Sequence, residues 1–453
     1  MRQIRIPQLP LAEAWGNHPQ ARELREISRL LDQLPDVVAR VHADLVGKHL
    51  ATVGCTGLSG EQTLRLAVLK RINQISYEDL AFVLVDSRVA RTFSRLPLGW
   101  NPSSSTLGAN IKRISPETWE MINRAIVGLA RERGVENGDQ VRTDCTVVEA
   151  NVLEPNDARL LWDCVRVMTR VVGRIISALP DVPLDFVDRA RSVKGLSYEI
   201  QFLSRGDQRT ARYCALLDMV ALVQAEATDI LLVVEKLGSS DDDDGTQLRR
   251  LTRELASVLD STKRVLSQTQ RRIVDEEIVP AGEKLVSIFE QHAYIIRKDH
   301  RDTFFGHKIC LSGGTSSLIL DCMVLDGNPA DVTLVAPVIE RLKAIRGGLA
   351  PIAMAFDGGF PSEENLAIAK AAGVVEVCFH KQRGLAVADM VTNDETFQRL
   401  KNFRAGIEGG ISTLKRAFGM GRCLWRGLTS FKSYVLVSVV SFNLVMLARR
   451  LLA

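Results

Sequence analysis

Residues 141–148 read Val-Arg-Thr-Asp-Cys-Thr-Val-Val, and their period is two: Val141, Thr143, Cys145 and Val147 alternate with Arg142, Asp144, Thr146 and Val148. That pattern predicts a strand, with Asp144 at its middle. Upstream the chain reads as helical. Ser59 with Gln62 and Ser76 with Asp79 are spaced as capping pairs, so helices should begin near Gly60 and Tyr77 across a short turn. Two short helices so joined resemble a helix-turn-helix, although an ordinary bundle corner has the same pattern. Another helix should open at Ser115-Pro116 and run to about Arg133.

Downstream of the strand, helical periodicity holds for well over a hundred residues. Leu161, Cys164, Val165, Met168, Val172, Ile175, Ile176 and Leu179 form one apolar stripe, with Arg166, Arg170 and Arg174 on another face. Leu248, Leu251, Leu255, Val258, Leu259 and Val265 form a second, with Arg249, Arg250, Arg253, Lys263 and Arg264 outward. Such basic faces are usually solvated surface, and contact with DNA is the alternative. The acid run at 241–244 reads as a solvated linker, since no rigid element holds it in a coordination geometry.

Strand character resumes at Phe305. Residues 305–311 and 317–325, joined through Ser-Gly-Gly-Thr-Ser, read as an antiparallel hairpin. Asp331 caps a helix to about Arg346. The apolar run 352–356 ends in Asp357-Gly358-Gly359, the pattern of a central strand that delivers a carboxylate at its carboxyl end. A helix over 362–372, a strand over 374–379 and a helical tail follow. The expected architecture is α/β: a mixed sheet flanked by helices, split by a helical insertion and preceded by an all-α amino-terminal domain. The expected limits are 1–138 for the helical amino-terminal domain, 139–158 with 300–453 for the split α/β domain, and 159–299 for the helical insertion.

The 453 residues suffice for about three domains at roughly 150 residues each. A charged fraction of 25% and a hydrophobic fraction of 46% exclude disorder and fibrous repeats. A net charge of +4 permits a nucleic-acid partner without requiring one. The eight cysteines stand singly, from Cys55 to Cys423, with no C-x-x-C pair; this argues against zinc and disulfides and for a reducing cytoplasm. The first residues, MRQIRIPQLPLAEAWG, have no apolar stretch of signal-peptide length, so secretion is not expected. Near the carboxyl end the apolar stretch 434–447 is broken by Ser438, Ser441 and Asn443, and reads as a buried core helix rather than a membrane span.

The stretch with most chemical content is 401–427, where one acid, Glu408, sits among six basic side chains. A helix through Phe418 aligns Arg404, Glu408, Ile411 and Lys415, and an Arg404–Glu408 surface pair is the plain reading. Gly409 and Gly410 directly after the acid weaken it, because glycine costs a helix interior about 1 kcal/mol relative to alanine. A broken local rule beside a lone carboxylate points to close approach by something large.

TDCTVVEAN around Asp144, FDGGF around Asp357 and FRAGIEGGISTLKRAFGMGRCLWRG around Glu408 resemble the three blocks of DDE-type insertion-sequence transposases whose last acid carries a Tyr-Arg-Glu-Lys signature, closest to the branch called ISNCY. Arg404, Glu408 and Lys415 keep the signature spacing of three and six intervening residues; its tyrosine position falls on Lys401, so no tyrosine role is carried over. GLSGEQTLRLAVLKRINQISYEDLA, NPSSSTL, FGHKICL and LDGNPAD are similar to other stretches of related transposases.

The resemblance implies a ribonuclease-H-like catalytic domain in which Asp144, Asp357 and Glu408 hold two Mg2+ or Mn2+ ions. Cleavage of a phosphodiester without a covalent intermediate independently calls for two such ions about 3.5–4 Å apart, and hard cations take carboxylate oxygens. His307, Lys308, Lys381, Arg404, Lys415, Arg416, Arg422 and Arg426 are the candidates for contact with backbone phosphates. The implied partners are terminal inverted repeats and target DNA, with a homodimer or higher assembly formed on DNA in the nucleoid. Asp326 competes for the place of Asp357, although Asp-Gly more commonly makes a turn. Asp157 and Asp163 read as caps or surface groups, and Trp162 as core or as a stacking platform for an unpaired base. A metal-dependent nuclease without strand transfer and a non-catalytic DNA-binding protein are the two rival functions.

Overall fold

Among the described residues seven helices precede the first strand: α1 (Pro19–Asp32), α2 (Pro35–Val46), α3 (Gly60–Asn73), α4 (Tyr77–Asp86), α5 (Arg88–Ser94), α6 (Ser104–Ile111) and α7 (Pro116–Glu132). After β1 (Gln140–Glu149) come α8 (Asp157–Ala178), α9 (Ala190–Phe202), α10 (Asp207–Leu237) and α11 (Asp243–Thr269), then β2 (Tyr294–Lys298), β3 (Asp302–Gly313) and β4 (Ile319–Val324). The remainder is α12 (Val335–Ile345), β5 (Ala353–Phe356), α13 (Glu363–Ala371), β6 (Glu376–Phe379), α14 (Val387–Met390), α15 (Asp394–Ala417) and α16 (Leu428–Leu452). The computed structural model describes residues 2–5, 15–47, 57–97, 99–237, 243–298 and 302–453. Cys55 and the first two acids of the run at 241–244 lie outside them, and Asp243 already opens α11.

The chain packs as two compact units, Met1–Ala150 with His307–Ala453, and Asn151–Gly306. The first joins the amino-terminal helices and the later sheet in one body, so the helices before β1 are not a separate unit. The reason lies in α16. It packs on α7, α1, α3 and β4, which places one helix in contact with both halves. This helix is long and apolar enough to cross a membrane by length and composition, yet it is buried along most of its length within this unit. Asn443 is bonded inside the core: its Nδ2 donates to Asn123 Oδ1 and to the Ile319 carbonyl, both at 2.7 Å, and its Oδ1 accepts from Ile319 N–H at 2.9 Å. Ser433 donates to the Ile114 carbonyl at 3.0 Å. Of the interruptions visible in the sequence, Asn443 attaches the helix to its neighbours, Ser438 donates to the Tyr434 carbonyl of its own helix at 2.9 Å, and the buried Ser441 hydroxyl makes no bond.

Both capping boxes form, at Ser59/Gln62 and Ser76/Asp79. The turn between α3 and α4 closes through Gln74 in the left-handed region at φ 50°. α3 is buried on nearly all sides, and its Arg65 is held by Ser28, Asp32, Glu61 and the Phe93 carbonyl. Burial first, then the neighbouring Arg95, brings that guanidinium down to about 10. α4, the second helix of the pair, carries three acids and no base, with Phe82 and Val85 outward at 68% and 62% exposure. A surface of that composition lacks the cations that a phosphate backbone selects.

The sheet of this unit runs β4-β3-β1-β5-β6. β1 pairs parallel with β5, Thr143 opposite Phe356, and β5 parallel with β6, Phe356 opposite Phe379; β3 and β4 are antiparallel. The mixed sheet flanked by helices is thus present, with α15 lying on β1, β5 and β6 and with α7, α12 and α16 on β4. β1 departs from alternating burial, since Val141, Arg142 and Thr143 are all buried. It is an interior strand covered on both faces.

In the second unit α8, α9, α10 and α11 pack around one core that contains every residue of the two apolar stripes read above except Ile176 and Leu179, which lie partly buried against it. Trp162 also packs against that core, with Arg166 and Lys194 over its ring at 5.1 and 5.7 Å. Asp157 lies in the first turn of α8, bonded to Gln268 and Arg272, and Asp163 pairs with Arg166. β2 pairs antiparallel with 302–306 of β3, which then continues into the first unit.

Candidate active site

The parallel register of β1 and β5 sets Thr143 beside Phe356, so the next residue on each strand is an acid: Asp144 and Asp357. Chain direction alone brings them together. The two glycines that follow Asp357 are dictated by packing. A Cβ at Gly358 would come within 2.8 Å of the Lys381 side chain, and one at Gly359 within 2.4 Å of Asp331 Oδ2.

α15 starts at the Asn393 cap and crosses the sheet, so Arg404 and Glu408, one turn apart, lie over the ends of β1 and β5. The three acids meet on Arg404. Its Nη1 lies 2.8 Å from Asp357 Oδ1 and 3.6 Å from Asp144 Oδ2, and its Nη2 donates to Glu408 Oε1 at 2.5 Å. The guanidinium is buried, at 9% side-chain exposure, whereas the acids grade outward: Asp144 15%, Asp357 38%, Glu408 61%. The pair expected on the surface between Arg404 and Glu408 is therefore one edge of a cluster with three acids.

A second arginine supports this one and was not singled out by its sequence. Arg142, two residues before Asp144, donates to the Phe403 carbonyl at 3.0 Å and lies over the Phe403 ring at 4.7 Å. Burial lowers its pKa. It passes so close to α15 that a Cβ at Gly406 would stand 1.9 Å from its Nη1. The glycine beside the acid that has a packing reason is thus Gly406; at Gly409 a Cβ meets nothing within 4 Å. Beside Asp144, Cys145 has its thiol held well above the ordinary thiol range, first by a bond with Cys310 and then by burial.

The basic candidates divide. His307 is fully buried, bonded to the Leu325 carbonyl at 3.0 Å and tilted against the Phe431 ring at 4.8 Å, so it has no surface to offer a phosphate. Lys308 is turned to Asp331 at 2.5 Å and to the Pro329 carbonyl at 2.7 Å, where it fixes the loop under Gly359. Arg404 is likewise interior. These three positions share one cause: apolar or acidic neighbours, far off in sequence, enclose them. Lys381 is exposed just after β6, Arg416, Arg422 and Arg426 are exposed, and Lys415 is half-buried. The segment with Arg422 is fixed to β1: Glu149 N–H donates to the Gly421 carbonyl at 3.0 Å, and Cys423 N–H to the Glu149 carbonyl at 2.7 Å. Asp326 is exposed beside Gly327, whose φ is 70°, and serves the turn.

Carboxylate oxygens from three elements facing one positive group are the donor chemistry that magnesium or manganese selects. Among the described residues no three His, Cys, Asp or Glu side chains stand close enough to share one ion. The donor types suit a divalent ion, and the side chain that stands among them is that of Arg404.

Residues 266–444 match the family model described as "Transposase DDE domain". The match includes Asp357 and Glu408 and begins after Asp144. It supports a DDE-type transposase, an enzyme of a family that generally uses divalent metals. No curated protein matches the chain, and no solved structure does.

Proposed function

We propose that the chain is an insertion-sequence DNA transposase of the DDE class, of the Tyr-Arg-Glu-Lys group and its ISNCY branch, with a ribonuclease-H-like core interrupted by the helical segment 151–306. The observation that carries this reading is the meeting of Asp144, Asp357 and Glu408 on one buried cation. These three carboxylates would hold two Mg2+ or Mn2+ ions, Asp144 lying between the other two as the acid most enclosed. When bound, such ions activate the attacking oxygen and stabilise the leaving one.

The chain's own part is to position. β1 and β5 fix two acids by register, α15 brings the third from the side, and Lys381, Lys415, Arg416, Arg422 and Arg426 neutralise phosphates of terminal inverted repeats and target DNA. Water then nicks each element end and the freed 3′ hydroxyl attacks the target, on a homodimer or higher assembly in the nucleoid. The test uses the full chain with pre-cleaved ends and Mg2+. Asp144→Asn, Asp357→Asn and Glu408→Gln should each lose cleavage and joining by at least about 100-fold while still binding DNA, the scale expected when charge stabilisation at the reacting phosphate is removed. Cleavage without joining in the unmodified protein would favour the nuclease, and binding without either reaction a non-catalytic DNA-binding protein.

A further inference from the structure

Three carboxylates drawn from β1, the end of β5 and α15 repel one another unless a positive charge stands among them. Arg404 is that charge. A guanidinium is planar, permanently charged and offers five N–H groups in a fixed fork. Here its two amino nitrogens serve all three acids, while its Nε is buried with no partner. The carboxylates therefore satisfy only part of its bonding capacity, although they hold it inside the protein. The group is long-stemmed, and Glu408, one turn away on the same helix, lies at the outer, more exposed side of the cluster.

We propose that Arg404 is the resident counter-ion of the acid trio, a positioning residue that keeps Asp144, Asp357 and Glu408 gathered before divalent ions arrive and must be displaced when they bind. The inference rests on the reading of these acids as metal ligands. Two charges cannot both occupy the centre of the cluster, so the affinity of the free protein for a divalent ion is set by competition with an intramolecular rival. A ligand that binds one of two arrangements shifts the population only by its differential affinity for them. Arg404 then lowers metal affinity in the resting protein, the reverse of what loss of a merely structural residue would produce.

Manganese binding to the full chain without DNA, followed by electron paramagnetic resonance and calorimetry, tests this. Arg404→Gln should bind Mn2+ at least about 10-fold more tightly than the unmodified protein, and Arg404→Lys, a compact point charge without the fork, should fall between them. Adding Asp144→Asn to Arg404→Gln should abolish the gain. Unchanged or weaker Mn2+ binding by Arg404→Gln, with binding still lost in Asp144→Asn alone, overturns the counter-ion role and leaves the metal site standing. Mn2+ binding indifferent to Asp144→Asn, Asp357→Asn and Glu408→Gln overturns both. Should Arg404→Gln fail to fold, nitrogen NMR of the unmodified protein decides: the Arg404 Nε–H signal should move on adding Mg2+, and a signal that stays fixed while Mg2+ binds refutes the exchange.

Discussion

Gly406 and Gly409 are three residues apart on one helix and have opposite reasons to exist. A methyl group at 406 would meet Arg142 Nη1 at 1.9 Å, while one at 409 meets open space. Gly406→Ala should therefore destabilise the first unit by about 1–3 kcal/mol, because Arg142 must leave the Phe403 carbonyl or α15 must shift. Gly409→Ala should stabilise it by up to about 1 kcal/mol through helix propensity. Urea unfolding of the two variants checks both signs. If Gly409→Ala is more stable yet cleaves DNA poorly, the space beside Glu408 is where the substrate backbone runs. Lys70 gives a second prediction at this scale. Burial first, then Arg71 and Lys112, lower its pKa from 10.5 to about 8. The folded state then disfavours the charged amine, a cost present in full below pH 8 and relieved as pH rises from about 8 toward 10.5. Stability measured by urea midpoint should climb over that window, and Lys70→Met should flatten the climb.

Among the elements, α16 shows how polar groups choose between two fates for an apolar helix. Asn443→Leu would make the segment still more apolar, but would strand the Ile319 amide and carbonyl and Asn123 inside the core. About 3 kcal/mol of destabilisation is expected, read by chemical denaturation. The same comparison explains what the sequence disclosed. Capping at Ser59 and Ser76, the strand ending in Asp357-Gly358-Gly359 and the long helix through Glu408 are written in near neighbours, and they appear at about the positions expected. His307 and Arg404 were read as cations for DNA because nothing near them in sequence tells that Phe431, Asp144 and Asp357 enclose them. The close approach inferred from the two glycines after Glu408 is absent there, since a Cβ at 409 meets nothing within 4 Å and one at 410 only the end of Ile319 at 4.0 Å; the tight passage is at Gly406, before the acid, where an arginine from β1 runs. The union of the amino-terminal helices with the sheet was equally illegible, since it is made by a helix more than 300 residues downstream.

At the scale of the molecule, charge is divided unequally. The first unit has 36 Lys and Arg against 29 Asp and Glu, the second 22 against 25. The overall excess thus belongs to the first unit, and it concentrates in residues 401–453, with nine bases and one acid. In the second unit Arg170 pairs with Glu254 and Arg166 with Asp163, so part of its basic face is neutralised. Salt dependence of DNA affinity should follow this division. Removing one cation that neutralises a phosphate lowers the slope of log affinity against log salt by about 0.9, so Arg422→Gln with Arg426→Gln should reduce it by nearly two, and Arg250→Gln with Arg253→Gln should leave it unchanged. An equal reduction from both pairs would assign DNA binding to the helical unit as well.

The two main-chain bonds between Glu149 and the 421–423 segment bear on how such a protein tolerates change. Because amides and carbonyls make this fastening, side chains there can be exchanged for others without altering how far residue 422 stands from the strand that ends at Glu149. The spacing between Arg422 and the strand that carries Asp144 is thereby built into the backbone, and proline at 423, which has no amide hydrogen to give, is the replacement that would loosen it.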